Sequence, residues 1–249
     1  MIKRSTPEPK IAIYRKLLHV TFCLGLLLPY LPLPFSVFFK NGFSPSVYYS
    51  ILAAIATTIN AIQIKRPLIR IELKNILQEK RRKLIEDLLK ILPADESLVS
   101  KSLEYEEKIR KLEDHFNDYI DRMERSYERI GGYIGVTHGI IGVLISNILF
   151  ENYVIYGILA LMIVDPAAAV FGATIGRHAI PKTDGTMEGS IAAFISFFSI
   201  LIFFKLNLLS AITLSLVATL AELLSIEDNL VIPLATSAVA YVLQLPFIL

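Results

Sequence analysis

Apolar residues run along most of the chain in blocks of about twenty, broken by one long polar stretch. A helix that crosses a bilayer needs roughly 20 apolar residues. Seven segments meet that length: about 12–33, 44–64, 131–149, 153–176, 189–205, 207–225 and 230–248. They predict an all-α polytopic membrane protein of about seven transmembrane helices. Between the second and third lies 65–130, where the pattern changes. Its second half places Tyr105, Ile109, Leu112, Phe116, Tyr119, Met123, Tyr127 and Ile130 at spacings of three and four, close to a heptad seam. Its first half offers Ile69, Leu73, Ile76, Leu84, Leu88 and Ile91, a looser series. "PADES" at 93–97 reads as the turn, with Ser97 able to cap the second helix. The prediction is an antiparallel helical hairpin. Three regions follow: membrane helices 1–2 at 1–64, the charged hairpin at 65–130, and membrane helices 3–7 at 131–249.

Composition sharpens this picture. The 249 residues have a mean hydropathy of +0.55, 54% hydrophobic and only 19% charged residues, fewer charges than a soluble domain carries. Sixteen of the 25 Lys and Arg and fifteen of the 23 Asp and Glu fall in the hairpin, which leaves the rest apolar enough for lipid. A net charge of +2 with no aromatic-basic patch gives no case for nucleic acid. The single cysteine, Cys23, cannot form an internal disulfide. Lys3, Arg4 and Lys10 precede the first apolar run, but no small-residue cleavage site follows, so the run reads as a retained membrane helix. The basic residues then set the orientation. The N-terminal tail, the hairpin and the 177–188 loop carry them and are expected in the cytoplasm. The opposite loops carry only Lys40 and Lys205.

Polar groups that survive inside the apolar segments mark the candidate chemistry. Asp165 lies about eleven residues from the cytoplasmic end of its segment, where an ionised carboxylate costs on the order of 3 kcal/mol unless solvated or paired. Pro166 follows it and predicts a break, with a half-helix whose positive end suits an anion. Ala168, Gly172 and Gly176 repeat every four residues. They permit close approach of either a second helix or a phosphate. The loop "RHAIPKTDGTMEGS" supplies Arg177 and Lys182 as cations and Thr183 and Ser190 as hydroxyls for a polyphosphate. Glu188 and Asp184 can hold Mg²⁺ through water, while His178 reads as a surface residue. Arg15, Lys16 and His19 share one helix face. Glu222 sits in an apolar run just before Glu227, Asp228 and Asn229, and His138 is isolated in "GVTHGIIG", where a hydrogen bond to a neighbouring helix would account for it. No Walker A motif is present.

Taken in order, "RKLLH" at 15–19, "DPAAAVFGATIGR" at 165–177, "KT" then "EGS" at 182–190, and Glu222…Asp228-Asn229…Ile232-Pro233 resemble the motifs of the CTP-dependent lipid-alcohol kinases. That family includes the dolichol kinases, phytol kinases and yeast-type diacylglycerol kinases, and is distantly related to the phosphatidate cytidylyltransferases. The likeness covers nearly all of the membrane part. The chain departs in its long hairpin and in extra residues between Lys182 and Glu188, and it lacks the D-R-x-D ending of the cytidylyltransferases. The resemblance implies phosphoryl transfer from CTP to a membrane alcohol, a polyprenol, dolichol or shorter isoprenoid, with diacylglycerol as the alternative acceptor. It implies catalytic roles for Asp165, Lys182, Glu188 and Glu222, and Mg²⁺ on Asp165, Glu188 and Asp228. Nucleotide binding would fall to Arg15, Lys16, His19, Gly172, Gly176, Arg177, Lys182, Thr183, Ser190 and Asn229. The rival from another class is an ion-coupled membrane transporter with the same buried carboxylates. A non-catalytic scaffold would leave Asp165 and Glu222 unexplained. The hairpin offers a surface for self-association or for a protein partner.

Overall fold

The computed structural model describes residues 9–31, 43–66, 69–91, 104–115, 133–183 and 185–248. Helix α1 covers Pro9–Leu27 and α2 Pro45–Lys65, each opening on a proline, whose missing N–H is harmless in the first turn. Ser44 caps α2 by accepting from the Val47 N–H at 3.3 Å. Helix α3 spans Ile69–Ile91, α4 Ile134–Phe150, α5 Val154–Ile175, α6 Met187–Phe203, α7 Leu208–Leu224 and α8 Asp228–Val242. Residues 104–115 are also helical. Among the described residues the only extended pairing is a single bridge between Ala179 and Thr186, so the all-α expectation holds. Thr186 and Asn207 cap α6 and α7 by accepting from the Gly189 and Ser210 N–H groups.

The chain divides into two units. One combines residues up to Thr58 with Tyr133–Leu249. Its centre is α5, which packs against α1, α4, α6, α7 and α8. Val154–Leu161, Val164, Asp165 and Ala168 of α5 are buried, and with Leu26, Tyr49, Phe197, Leu214 and Ile232 they form the core. Among the described residues, two helical stretches are long and apolar enough to cross a membrane, Pro45–Lys65 and Ile134–Ile175. The second divides at the short 3₁₀ turn Glu151–Tyr153, where Glu151 has φ 50° and ends α4. Helices α6, α7 and α8 are apolar but shorter, at 17, 17 and 15 residues. The expected last segment, 230–248, stays helical only to Val242. Gln244 takes φ 46°, and Pro246 disfavours helix just before it.

One local expectation is overturned. Helix α5 continues through Pro166 instead of restarting there. The proline forfeits one hydrogen bond to the Met162 carbonyl, and the packing around α5 holds the helix together. No free helix end therefore lies beside Asp165.

The other unit is Ile59–Gly132. Within it Glu113 accepts hydrogen bonds from Arg81 and from Gln78, the latter at 3.3 Å, which joins α3 to the 104–115 helix. Pairs at i,i+4 run along both helices: Glu79–Lys83, Glu104–Lys108 and Glu107–Lys111 at 2.6–2.8 Å. The described seam positions Tyr105, Ile109 and Leu112 are exposed, as are Ile76 and Leu84. In these residues the contact between the two helices is polar. The 93–97 turn, Ser97, and Phe116 to Ile130 lie outside the described residues.

Candidate functional site

Lys16 points from α1 into the middle of α5, and its Nζ donates to Asp165 Oδ1 at 2.5 Å. Asp165 is buried and Lys16 half-buried, their side chains 5% and 12% exposed. Paired in this way, the carboxylate no longer bears the full desolvation cost of an isolated charge. One turn on, His19 Nε2 lies 3.1 Å from the Leu161 carbonyl and 3.5 Å from both Asp165 Oδ2 and Cys23 Sγ. A tautomer with hydrogen on Nε2 donates to that carbonyl, so His19 fixes α1 against α5. Arg15 is half-buried beside Lys16.

Two further carboxylates belong to the same neighbourhood. The charged groups whose fields reach Glu222 are Asp165, Asp228 and Lys16. Glu222 Oε2 is buried and finds no hydrogen-bond partner among the described residues. Asn229 Oδ1 is in the same state. Asp228 opens α8 and accepts from the Asn229 N–H at 2.8 Å. Charges from α1, α5 and the start of α8 thus act on this one carboxyl of α7. Beside them Glu227 Oε2 meets His138 Nδ1 at 3.2 Å, which gives His138 a partner just ahead of α8 and not in the apolar interior.

The loop after α5 forms a second cluster. Glu188 Oε2 accepts from the Arg177 and His178 N–H groups at 3.1 and 3.2 Å, and Glu188 Oε1 lies 2.6 Å from His178 Nδ1. The His178 contact first, then the backbone donors, push the Glu188 carboxyl down to about 2. The His178 side chain is exposed as expected, at 72%. Its pairing with Glu188 was not legible, because the two lie ten positions apart on either side of a loop. Thr183 turns inward, donating to the Ile180 carbonyl and accepting from the Gly185 N–H. Lys182 sits at the loop tip with φ 67° and, like Arg177, is exposed. Ser190 lies half-buried in the first turn of α6, its N–H bonded to the Thr186 carbonyl. Asp184 lies outside the described residues.

The small-residue stripe meets protein. A Cβ on Gly176 would sit 2.7 Å from Thr186 Oγ1, and one on Gly189 would sit 2.6 Å from the Ala168 carbonyl. A Cβ on Gly172 would also meet Thr186, at 3.1 Å. Of the two readings left open by the spacing, helix packing is the one seen here.

The clusters are separate. The Glu188 carboxylate turns to the Arg177 and His178 end of α5, about 18 Å from Asp165 along a helix rising 1.5 Å per residue, although Gly189 beside it packs on Ala168, one turn from Asp165. Among the described residues no three His, Cys, Asp or Glu side chains stand close enough to hold a metal ion by themselves. Glu188, with both oxygens engaged, holds the loop. Mg²⁺ needs only one or two carboxylates when phosphates complete its shell. Asp228, Asp165 and the unpartnered oxygens of Glu222 and Asn229 fit that lesser demand.

The chain matches no family model, no curated protein and no solved structure.

Proposed function

We propose that the protein is a multi-pass membrane kinase that transfers the γ-phosphoryl group of CTP to the hydroxyl of a lipid alcohol. In this reading α1, α2 and α4 to α8 all cross the bilayer, with the N-terminus, the 65–130 hairpin and the 177–188 loop on the cytoplasmic side. The observation that carries the proposal is the Lys16–Asp165 pair in the interior, with Glu222 close enough to feel its charges and that of Asp228. A lysine among carboxylates, deep in apolar helices, suits a reaction in which phosphate charge must be matched beside a greasy acceptor. The motif order read in the sequence supports the same class.

In this proposal the residues take these roles. Lys16 faces the transferring phosphoryl group and neutralises its oxygens. Asp165 holds Lys16 in place and, with Asp228, would hold Mg²⁺; Glu222 and Asn229 offer further oxygens. Bound there, Mg²⁺ would offset charge on the β- and γ-phosphates. Glu222 accepts the proton of the attacking hydroxyl while the alcohol oxygen bonds to the γ-phosphorus, and CDP departs with the electrons of the broken bond. Arg177 and Lys182, on the loop clasped by Glu188, contact the nucleotide's outer part. An extended nucleoside triphosphate can bridge the distance between the loop and Asp165. His19 positions α1.

Phosphate transfer by the protein in detergent with Mg²⁺ is the test, crossing CTP and ATP with a polyprenol, geranylgeraniol and diacylglycerol. The expected result is CTP-dependent phosphorylation of one isoprenoid alcohol, lost in Asp165→Asn. Transfer to diacylglycerol alone would move the substrate class. No transfer with any pair would sink the kinase reading and direct attention to ion transport.

A further inference from the structure

The kinase reading leaves unused a set of hydroxyls in the interior of α7 and α8. Ser215, Thr236 and Ser237 are fully buried and Thr219 is 7% exposed. None of the four side-chain oxygens has a hydrogen-bond partner among the described residues. This is unlike helical hydroxyls elsewhere in the molecule. Thr137, Ser146, Thr174, Ser199 and Thr213 each turn back to the carbonyl four residues earlier, at 2.7–3.0 Å.

These residues also lie at matching depths. Helices α7 and α8 pack together and are joined by residues 225–227 alone, so they run antiparallel. Ser215 lies nine residues before the end of α7, and Ser237 nine residues after the start of α8. Both are therefore about 14 Å from the loop at 1.5 Å per residue. Thr219 is level with Pro233, which has no N–H to give the Asn229 carbonyl. At the loop end stand Glu222 Oε2 and Asn229 Oδ1, also buried without a partner. Beyond them Ile226 is 98% exposed, so the series starts near solvent. Ser237 also faces α5, where a Cβ on Gly157 would come within 2.4 Å of its Oγ.

We infer that the α5–α7–α8 interface binds a file of internal water, held by Ser215, Thr219, Thr236 and Ser237 and ending on Glu222. A hydroxyl both donates and accepts, so it suits water better than it suits a cation. Buried water characteristically satisfies about three polar groups that nothing else reaches. The file solvates the Glu222 carboxylate from the membrane side, which explains how an acid tolerates this apolar helix. The inference holds whether the protein is a kinase or a transporter.

Two measurements on the full chain in detergent decide it. Thr236→Val keeps the side-chain shape and removes the hydroxyl. With water bound, the variant melts at a lower temperature, and Ser215→Ala combined with it loses less than the sum of the two. With an unpaired hydroxyl, Thr236→Val melts higher, because an uncompensated buried group has gone, and the inference fails. Radiolytic labelling of the unaltered protein in H₂¹⁸O gives the second reading. Bound water should place ¹⁸O on buried Leu214 and Pro233. Labelling of exposed Leu209 without either of them would overturn the proposal.

Discussion

At the scale of single residues, Asp165 is the position on which most depends. Replacing Lys16 by Met leaves a buried carboxylate without its cation, a change of roughly 3–5 kcal/mol in comparable buried pairs. Thermal unfolding in detergent should show a loss of that order. The double variant Lys16→Met with Asp165→Leu should recover much of the stability and none of the transfer activity. Glu188 makes a different prediction. Its carboxyl is pushed down to about 2, so its bonds to Arg177 and His178 stabilise the loop fully above the ordinary carboxylate value. That contribution disappears as pH falls through about 2. A carboxyl NMR titration should give Glu188 a midpoint near 2. A midpoint near 4.5 would mean the clasp is absent in solution. Asp165 and Glu222 were legible in the sequence as polar groups that an apolar helix does not tolerate alone. The identity of their neighbours was not, because Lys16 and Asp165 are 149 positions apart.

Among helices, the glycines separate packing from permissiveness. A Cβ on Gly157 would meet the Pro233 carbonyl and Ser237 Oγ at 2.4 Å, whereas one on Gly25 meets nothing within 4 Å. Gly157→Ala should therefore unfold well below the parent, with α5 and α8 forced apart. Gly25→Ala, in α1, should be neutral or stabilising by up to about 1 kcal/mol. Equal melting temperatures for the two would contradict the α5–α8 contact. The approximate positions of the helices followed from apolar blocks, since hydrophobic pattern is a property of neighbouring residues. The continuity of α5 through Pro166 did not follow. A proline weakens a helix locally, and only the packing on its flanks determines whether the helix bends, ends or continues.

For the whole molecule, the prediction concerns which helices cross the bilayer and in which sense. The basic residues predict one arrangement. In a Cys23→Ser background, cysteines introduced at Lys182 and at Glu79 should react with an impermeant reagent only from the cytoplasmic side. One at Lys205 should react only from the opposite side. Labelling of Lys182 and Lys205 positions from the same side would remove the membrane crossing of α6 between them.

The linear pattern by itself determined that this chain is helical, apolar in seven places and charged in one. Those features depend on residues a few positions apart, where periodicity and capping act. The tertiary structure decided which polar groups meet. It placed Lys16 on Asp165, set Glu222 in the field of Asp165 and Asp228, joined Glu188 to His178, and gave the Gly172–Gly176 stripe to Thr186 and not to open space. It also turned the Glu188 carboxylate to Arg177 and His178 and away from Asp165, although Gly189 beside it packs on Ala168, one turn from Asp165. Burial makes an unpaired charge intolerable, so a partner is required wherever one occurs in an apolar segment. Which partner it finds depends on the packing of helices distant in sequence.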